Sequence, residues 1–185
     1  EEPKNRQAVR ILYPRRLTSV RGINETMAAI SRLNQEYDHL EFHIVGRGHS
    51  DDREREMLAW AAHQPNVYYY WQPPHAMPQV YRYADIVLIP TKAAEGTSLS
   101  CLEAMASGRA VIAGCVGGLS DLIVDGYNGL LLRPLTARTL ADAIRRLVDR
   151  PDERRRIGQN ALNTAIAFSL TRWKRRWARV IDRTF

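Results

Sequence analysis

The stretch Asp85-Ile86-Val87-Leu88-Ile89-Pro90 decides the fold class of this chain. Every side chain between the aspartate and the proline is apolar, without the polar alternation of a strand that has one face in water. Strands that are buried on both faces have this pattern, and they are typical of parallel sheets. The stretch Ala110-Val111-Ile112-Ala113 has the same character. The two stretches therefore predict a parallel sheet that is covered on both faces.

Strand-like and helical stretches alternate on either side of these two strands. Four further strand-like runs lie at residues 9–13, 40–45, 67–71 and 130–132. Helical stretches begin at Gly22, at Asp51 and after the loop 91–97, and three helices, 136–149, 152–167 and 170–183, end the chain. This order predicts an α/β fold: a Rossmann-like, doubly wound parallel sheet of six strands, with helices on both faces and a helical C-terminus. Because such sheets bind ligands at the carboxyl ends of their strands, the loops that follow strands are the candidate sites.

The composition is that of an ordinary globular protein: of 185 residues, 45% are hydrophobic and 25% are charged. It excludes a disordered chain, a collagen and a coiled coil. No run approaches the ~18 apolar residues of a membrane-spanning helix. We interpret residues 1–8 as a linker and residues 9–185 as one domain. Two cysteines, Cys101 and Cys115, cannot staple a chain of this size, so the sequence predicts a reduced, cytoplasmic setting.

The positive charge is concentrated at the C-terminal end. The net charge is +7, but residues 135–185 carry 13 basic and 5 acidic side chains, whereas the rest of the chain carries 14 and 15. Two interpretations are open: a solvated helical face, or a surface for an anionic partner such as a membrane. The segment 172–179 is basic with Trp173 and Trp177 interleaved, which is compatible with a helix at a membrane interface.

The richest loop is Thr91 to Ala106, which leaves the buried strand and enters a helix. Small residues at 96–98 let a ligand approach the backbone, and the free amides of a helix start favour an anion. We expect the carboxylates of Glu95 and Glu103 to face the same crevice. The alternative for Glu103 is structural, since Ser100-x-x-Glu103 has the form of a capping box.

A second loop, Tyr13 to Gly22, carries three arginines and a glycine after the first strand. Guanidinium groups make strong, charge-assisted hydrogen bonds to phosphate, so the loop suits a diphosphate. The alternative is a solvated basic loop. Gly46-Arg47-Gly48 follows the second strand, but the run lacks the full G-x-G-x-x-G and lies after the wrong strand for a dinucleotide-dependent dehydrogenase.

We predict no metal site. The five histidines show no metal-ligand spacing, and the sequence has neither a C-x-x-C nor a D-x-D motif. Asp51-Asp52 is interpreted as favourable charge at a helix N-terminus.

The loop that carries Glu95 and Glu103 also resembles the signature of a known family. The segment Glu95 to Gly108 resembles the E-x7-E signature of the retaining group 1 glycosyltransferases of the GT-B fold, which are similar to glycogen synthase. The resemblance extends over residues 9–185 and includes Arg16, Arg21-Gly22, the 46–48 turn and the stretch 125–131.

The resemblance implies two Rossmann-like domains that face a cleft, of which this chain is the C-terminal, donor-binding half. The N-terminal domain, which binds the acceptor and carries a catalytic histidine, is expected as a partner absent from this chain. The chain is expected to bind a nucleoside-diphosphate sugar, with UDP or GDP, but not to turn over alone. The expected enzyme is a metal-independent hexosyltransferase that has no cofactor and acts on a glycan, lipid or small-molecule acceptor. The expected location is cytoplasmic, with a peripheral position at the inner membrane face, and no nucleic acid is expected as a partner.

Roles for single residues follow from the same resemblance. Arg16 and Arg21 are expected to grip the diphosphate, and Glu95 to contact the donor sugar; we count these three as catalytic. Glu103 is expected to accept the ribose hydroxyls. The remaining expected donor contacts are the backbone of Gly96, Thr97, Ser98 and Leu99 for the sugar and phosphates, and the loop from Gln72 to Met77 for the base.

Three departures from the family pattern stand out. Arg15 lies where the family has glycine, so the first phosphate loop is expected to be less open. Arg21 replaces a lysine and spreads the charge over a planar fork. Trp71 and Pro73-Pro74 replace a glycine and polar residues, and prolines lack the amide donor.

Two other functions compete with this one. A sugar-nucleotide epimerase shares the two-domain fold but lacks the E-x7-E loop. A non-catalytic module that docks on an anionic membrane through the basic C-terminal helices is the rival from a different class. The alternative for Trp173 and Trp177 is that they pack on the sheet or on the absent N-terminal domain.

Overall fold

The computed structural model describes residues 8–48 and 50–184. All six predicted strands are present and pair in parallel in one sheet of order β3-β2-β1-β4-β5-β6. Seven residues of the predicted linker, 1–7, and the histidine at 49 lie outside the described residues. The strands are β1 (Val9–Tyr13), β2 (Leu40–Val45), β3 (Val67–Tyr70), β4 (Ile86–Ile89), β5 (Ala110–Gly114) and β6 (Leu130–Leu132). The helices are α1 (Ile23–Leu33), α2 (Asp51–Ala62), α3 (Met77–Tyr83), α4 (Leu99–Ala106), α5 (Leu119–Leu122), α6 (Ala137–Asp149), α7 (Pro151–Ala165) and α8 (Leu170–Thr184).

The strand order places a topological switch point beside β1. From β1 the chain adds β2 and then β3 on one side, and it returns to add β4, β5 and β6 on the other. The loops after β1 and β4 therefore leave the sheet side by side and diverge, which opens a crevice between them. The predicted doubly wound fold is confirmed.

Side chains of the sheet alternate between two apolar cores. In β4, Ile86 and Leu88 face a core that includes α1, α2 and α6, whereas Val87 and Ile89 face a core that includes α3, α4 and α7. All four side chains of β4 are at most 1% exposed. The apolar run that predicted a strand covered on both faces is explained by these two helical layers.

Glycines let the strand-end loops pack backbone against backbone. A Cβ at Gly114, the last residue of β5, would lie 2.0 Å from the carbonyl oxygen of Thr91. A Cβ at Gly46, after β2, would lie 2.2 Å from the carbonyl oxygen of Arg15. Real Cβ atoms do not approach an oxygen this closely. Each of these loops is thereby held in register with the loop of the neighbouring strand.

The part of the chain that the structure describes contains no helix that is both long and apolar enough to cross a membrane.

Replacing Gly114 by alanine should destabilise the fold because the new methyl group meets the Thr91 carbonyl and the backbone must move. We expect the free energy of unfolding in urea to fall by about 1–3 kcal/mol. Gly96→Ala is the matched control, since a Cβ at Gly96 would have no neighbour within 4 Å. Equal stability of the two variants would contradict this account of the loop packing.

Candidate functional site

A cavity of about 610 Å³ opens at the carboxyl ends of β1, β2 and β3. Its wall combines the loop 14–16 with the turn 46–48, and it includes four of the residues predicted for donor binding. Those four are Arg16, Gln72, Met77 and Glu103. We call this space the strand-end cavity. It lies beside the switch point, where the fold class predicts a ligand.

The carboxylate of Glu95 lies at the centre of a buried ionic cluster. Its Oε2 accepts hydrogen bonds from Arg15 Nη2 at 2.8 Å, from Thr91 Oγ1 at 2.8 Å and from Arg21 Nη1. The side chains of Glu95 and Arg15 are only 8% and 7% exposed, and that of Arg21 is 31% exposed. We call these four residues the Glu95 cluster. It joins the loop after β1 to the loop after β4 across the switch point.

The backbone around Glu95 is fixed by the loop that follows β5. The Gly118 amide donates to the Glu95 carbonyl oxygen at 3.0 Å. At Gly117 φ is +49°, and a Cβ there would lie 2.1 Å from the same carbonyl oxygen, so only glycine fits. Ala94 adopts φ +52°, a left-handed conformation that is strained for alanine. Strain of this kind persists only where the surrounding structure holds it, and here the next residue, Glu95, is held by the Gly117-Gly118 loop.

Glu103 is held by a different partner. Its Oε2 accepts a hydrogen bond from the Tyr81 hydroxyl at 2.8 Å. Burial raises the pKa of Tyr81, and the neighbouring Glu103 carboxylate raises it further, so the phenol stays protonated and donates. The capping-box interpretation of Glu103 is wrong: Ser98 is the N-cap of α4, which begins at Leu99. Glu103 is therefore in the second turn, where its side chain lines the strand-end cavity.

The start of α4 leaves its first amides available. Within the described residues, no side chain caps this helix. Gly96 and Thr97 are exposed, Leu99 is 70% exposed, and only Ser98 is buried. The structure thus places the four predicted backbone contacts at an accessible helix N-terminus, which attracts anions.

The two glutamates do not share one wall, contrary to the expectation. Glu103 lines the strand-end cavity, whereas Glu95 is not among the lining residues. Arg15 lines the cavity and also donates a hydrogen bond to Glu95, so Arg15 lies between Glu95 and the cavity. The expected narrowing of the first phosphate loop by Arg15 is consistent with this position.

Tertiary structure adds residues that the sequence did not single out for these roles. Tyr81 and Thr91 hold the two glutamates, and Arg47 lies over the ring of Trp71 at 4.4 Å from its centroid, beside the cavity. Thr91 directly follows a buried strand, which was a usable signal. Nothing in the sequence around Tyr81 distinguishes it from any other aromatic side chain of an amphipathic helix.

Among the residues that the structure describes, no group of three or more His, Cys, Asp or Glu side chains is placed to hold a metal ion.

Comparison with known proteins decides the family. The model of the family described as "Glycosyl transferases group 1" matches residues 1–164. The chain belongs to this family. Over 98 residues it is 44% identical to the D-inositol 3-phosphate glycosyltransferase of Nocardia farcinica, a match that covers 53% of this chain and 22% of that protein.

Solved structures of other proteins have the same fold. The group 1 chain superimposes on Anabaena HepE, solved in complex with UDP, with a TM-score of 0.84 at 22% identity over 95% of this chain and 49% of HepE. It also matches the C-terminal domain of a group 1 protein, LpcC, from Francisella tularensis, with a TM-score of 0.75 at 25% identity over 87% of this chain and 86% of that domain. The chain thus matches less than half of the length of HepE and of the Nocardia enzyme.

Glu95→Gln should destabilise the fold strongly. The change leaves the buried Arg15 guanidinium without a counter-ion, and removing one partner of a buried ion pair costs about 3–5 kcal/mol. Glu103→Gln is the matched control, because it keeps an acceptor for Tyr81 and should cost about 1 kcal/mol. The measurement is urea unfolding at neutral pH; a smaller loss for Glu95→Gln than for Glu103→Gln would show that the cluster is not a stabilising centre.

Proposed function

We propose that this chain is the donor-binding half of a metal-independent, retaining glycosyltransferase. It would bind a nucleoside-diphosphate sugar, and the sugar would pass to a glycan, lipid or small-molecule acceptor held by a second, N-terminal domain. The observation that carries the proposal is that Arg16 lines the strand-end cavity, while the neighbouring Glu95 cluster holds Arg21 and is joined through Arg15 to Ser98 at the start of α4. Guanidinium groups and helix amides are the groups that bind a diphosphate without a metal.

The proposed chemistry follows from where negative charge develops. As the glycosidic bond breaks, the leaving diphosphate gains charge, and preorganised positive groups stabilise that transition state more than the bound donor. Arg16 and Arg21 would supply this stabilisation. We do not assign Glu95 as a nucleophile, since two guanidinium groups and a hydroxyl already bind its Oε2. Transfer on the front face of the sugar, with no covalent enzyme intermediate, is the proposed route to retention.

The strand-end cavity is the proposed nucleoside site. Glu103, oriented by Tyr81, would accept the ribose hydroxyls, and its carboxylate lines the cavity. The base would lie against Gln72, which would pair through its backbone, and Met77. Gly96 to Leu99 would offer amides to the sugar and phosphates.

Calorimetric titration with UDP, GDP, ADP and dTDP, each without metal, tests the proposed function. We expect one of the four to bind. Glu103→Ala and Arg21→Ala should each weaken binding about ten- to a hundredfold, because each removes a charged hydrogen bond worth about 1.5–3 kcal/mol. Arg138→Ala, on the exposed start of α6, serves as the control with unchanged affinity. No binding by any of the four nucleotides would contradict the proposal.

A second proposed contact surface is the apolar side of α8. Leu170, Trp173, Trp177 and Ile181 are spaced along one side of the helix, and each is between 51% and 64% exposed. The rings of the two tryptophans lie 6.1 Å apart between centroids. We propose that this side packs against the N-terminal domain. Docking on an anionic membrane is the competing function, since the other side of the helix is rich in arginine.

Vesicles of anionic lipid separate the two functions. The basic residues of α8 should attract such vesicles at low salt in either case, but only burial of the apolar side would resist screening. We therefore expect co-sedimentation of this chain to disappear at physiological salt. Binding that persists at that salt and is lost in Trp173→Ala/Trp177→Ala would favour the membrane function instead.

A further inference from the structure

The Glu95 cluster contains more positive than negative charge. Arg15 and Arg21 both pair with the single carboxylate of Glu95. The N-terminus of α4, which begins directly after Ser98, adds a partial positive charge beside them. Excess charge at a buried position is costly unless an opposite charge joins it. The cluster therefore carries a net positive charge, although Arg21, at 31% exposed, is partly solvated.

Arg15 is the member of the cluster that can reach a ligand in the cavity. Arg15 lines the strand-end cavity on one side, with 7% of its side chain exposed. On the other side Nη2 donates to Glu95 Oε2 at 2.8 Å, and Nη1 donates to Ser98 Oγ at 3.3 Å. A guanidinium carries five N–H donors, so these two bonds leave others for an anion.

Glu95 does not depend on Arg15 alone. The three donors converge on Oε2, and the described residues supply no donor to Oε1. If Arg15 turned towards an anion, Arg21 and Thr91 would still hold the carboxylate in place. Exchange of one partner of Arg15 for another therefore leaves no buried charge unpaired.

Resting on the proposed function, we propose that Arg15 binds the donor's diphosphate, as a third arginine beside Arg16 and Arg21. Its guanidinium gives up its hydrogen bond to the Glu95 carboxylate and donates to a phosphate oxygen instead. The Glu95 carboxylate can then accept a hydrogen bond from the donor sugar in place of Arg15. The diphosphate supplies the negative charge that the cluster lacks. Residue 15 is thus a binding determinant of this chain, at a position where the family pattern has glycine.

The rival role for Arg15 is purely structural. In that case its side chain stays on Glu95, narrows the entrance to the cavity and never touches the donor. Removing the guanidinium would then leave diphosphate affinity unchanged or increase it. When the Arg15 guanidinium is removed, the two roles predict different changes in the affinity for a diphosphate. Both predict an unchanged affinity for a bare nucleoside.

The test is calorimetry on Arg15→Met and Arg15→Lys with the nucleoside diphosphate that the wild type binds, its parent nucleoside, and inorganic pyrophosphate. Methionine keeps an unbranched side chain without charge, and lysine keeps the charge as a point. We expect Arg15→Met to weaken diphosphate and pyrophosphate binding about ten- to a hundredfold and to leave nucleoside binding unchanged. Arg15→Lys should lose less affinity for the diphosphate and pyrophosphate, and Arg138→Ala should bind both as tightly as the wild type.

A second measurement separates direct binding from action through Glu95. The Arg15→Met change is repeated in the Glu95→Gln protein, under conditions where circular dichroism shows both to be folded. If Arg15 touches the phosphate, its removal weakens pyrophosphate binding in this background too. A loss that appears only when Glu95 is intact would overturn the assignment, as would unchanged or tighter diphosphate binding by Arg15→Met. A wild type that binds neither nucleotide nor pyrophosphate overturns the proposed function, and with it this role.

Discussion

The Glu95 carboxylate joins two loops that are 74 to 80 residues apart in the sequence, and the geometry of the site depends on that junction. Arg15 and Arg21 come from the loop after β1, while Glu95 and Thr91 come from the loop after β4. A doubly wound sheet makes these two loops diverge, so something must hold them together before they can act on one ligand. Buried ionic hydrogen bonds do this in a direction-specific way that apolar contacts do not.

Close backbone contacts reinforce that junction from both sides. Gly46 brings the loop after β2 onto the Arg15 carbonyl, and Gly114 and Gly117 bring the loop after β5 onto Thr91 and Glu95. The charged side chains are therefore carried by loops whose backbones can shift little. A preorganised base matters for the proposed chemistry, because dipoles and charges that are already oriented need no reorganisation when charge develops. The strained conformation of Ala94 is compatible with a loop whose shape is imposed by its neighbours.

The two glutamates of the E-x7-E segment are held by different kinds of interaction. Glu95 is nearly buried among cations, whereas Glu103 is oriented by a neutral hydroxyl and lines the cavity. From their spacing of eight residues, it was predictable that Glu95 lies just before a helix and Glu103 lies within that helix. Their separation into two environments was not predictable, because it depends on Arg15 from the loop after β1 and on Tyr81 from another helix. The capping-box alternative for Glu103 is wrong for a related reason: spacing alone does not show at which residue a helix begins, and α4 begins one residue before Ser100.

Periodicity and local chemistry determined the six strands, the order of the helices and the loops that carry the site. Those features follow from interactions between near neighbours: apolar runs that must be buried, turn residues that end elements, and arginines or glycines directly after strands. Tertiary structure alone decided that Arg15 pairs with Glu95, that Tyr81 orients Glu103, and that one carboxylate serves two guanidinium groups. These contacts join residues from 22 to 80 positions apart, and only the folding of the loops and helices around the sheet brings them within hydrogen-bonding distance.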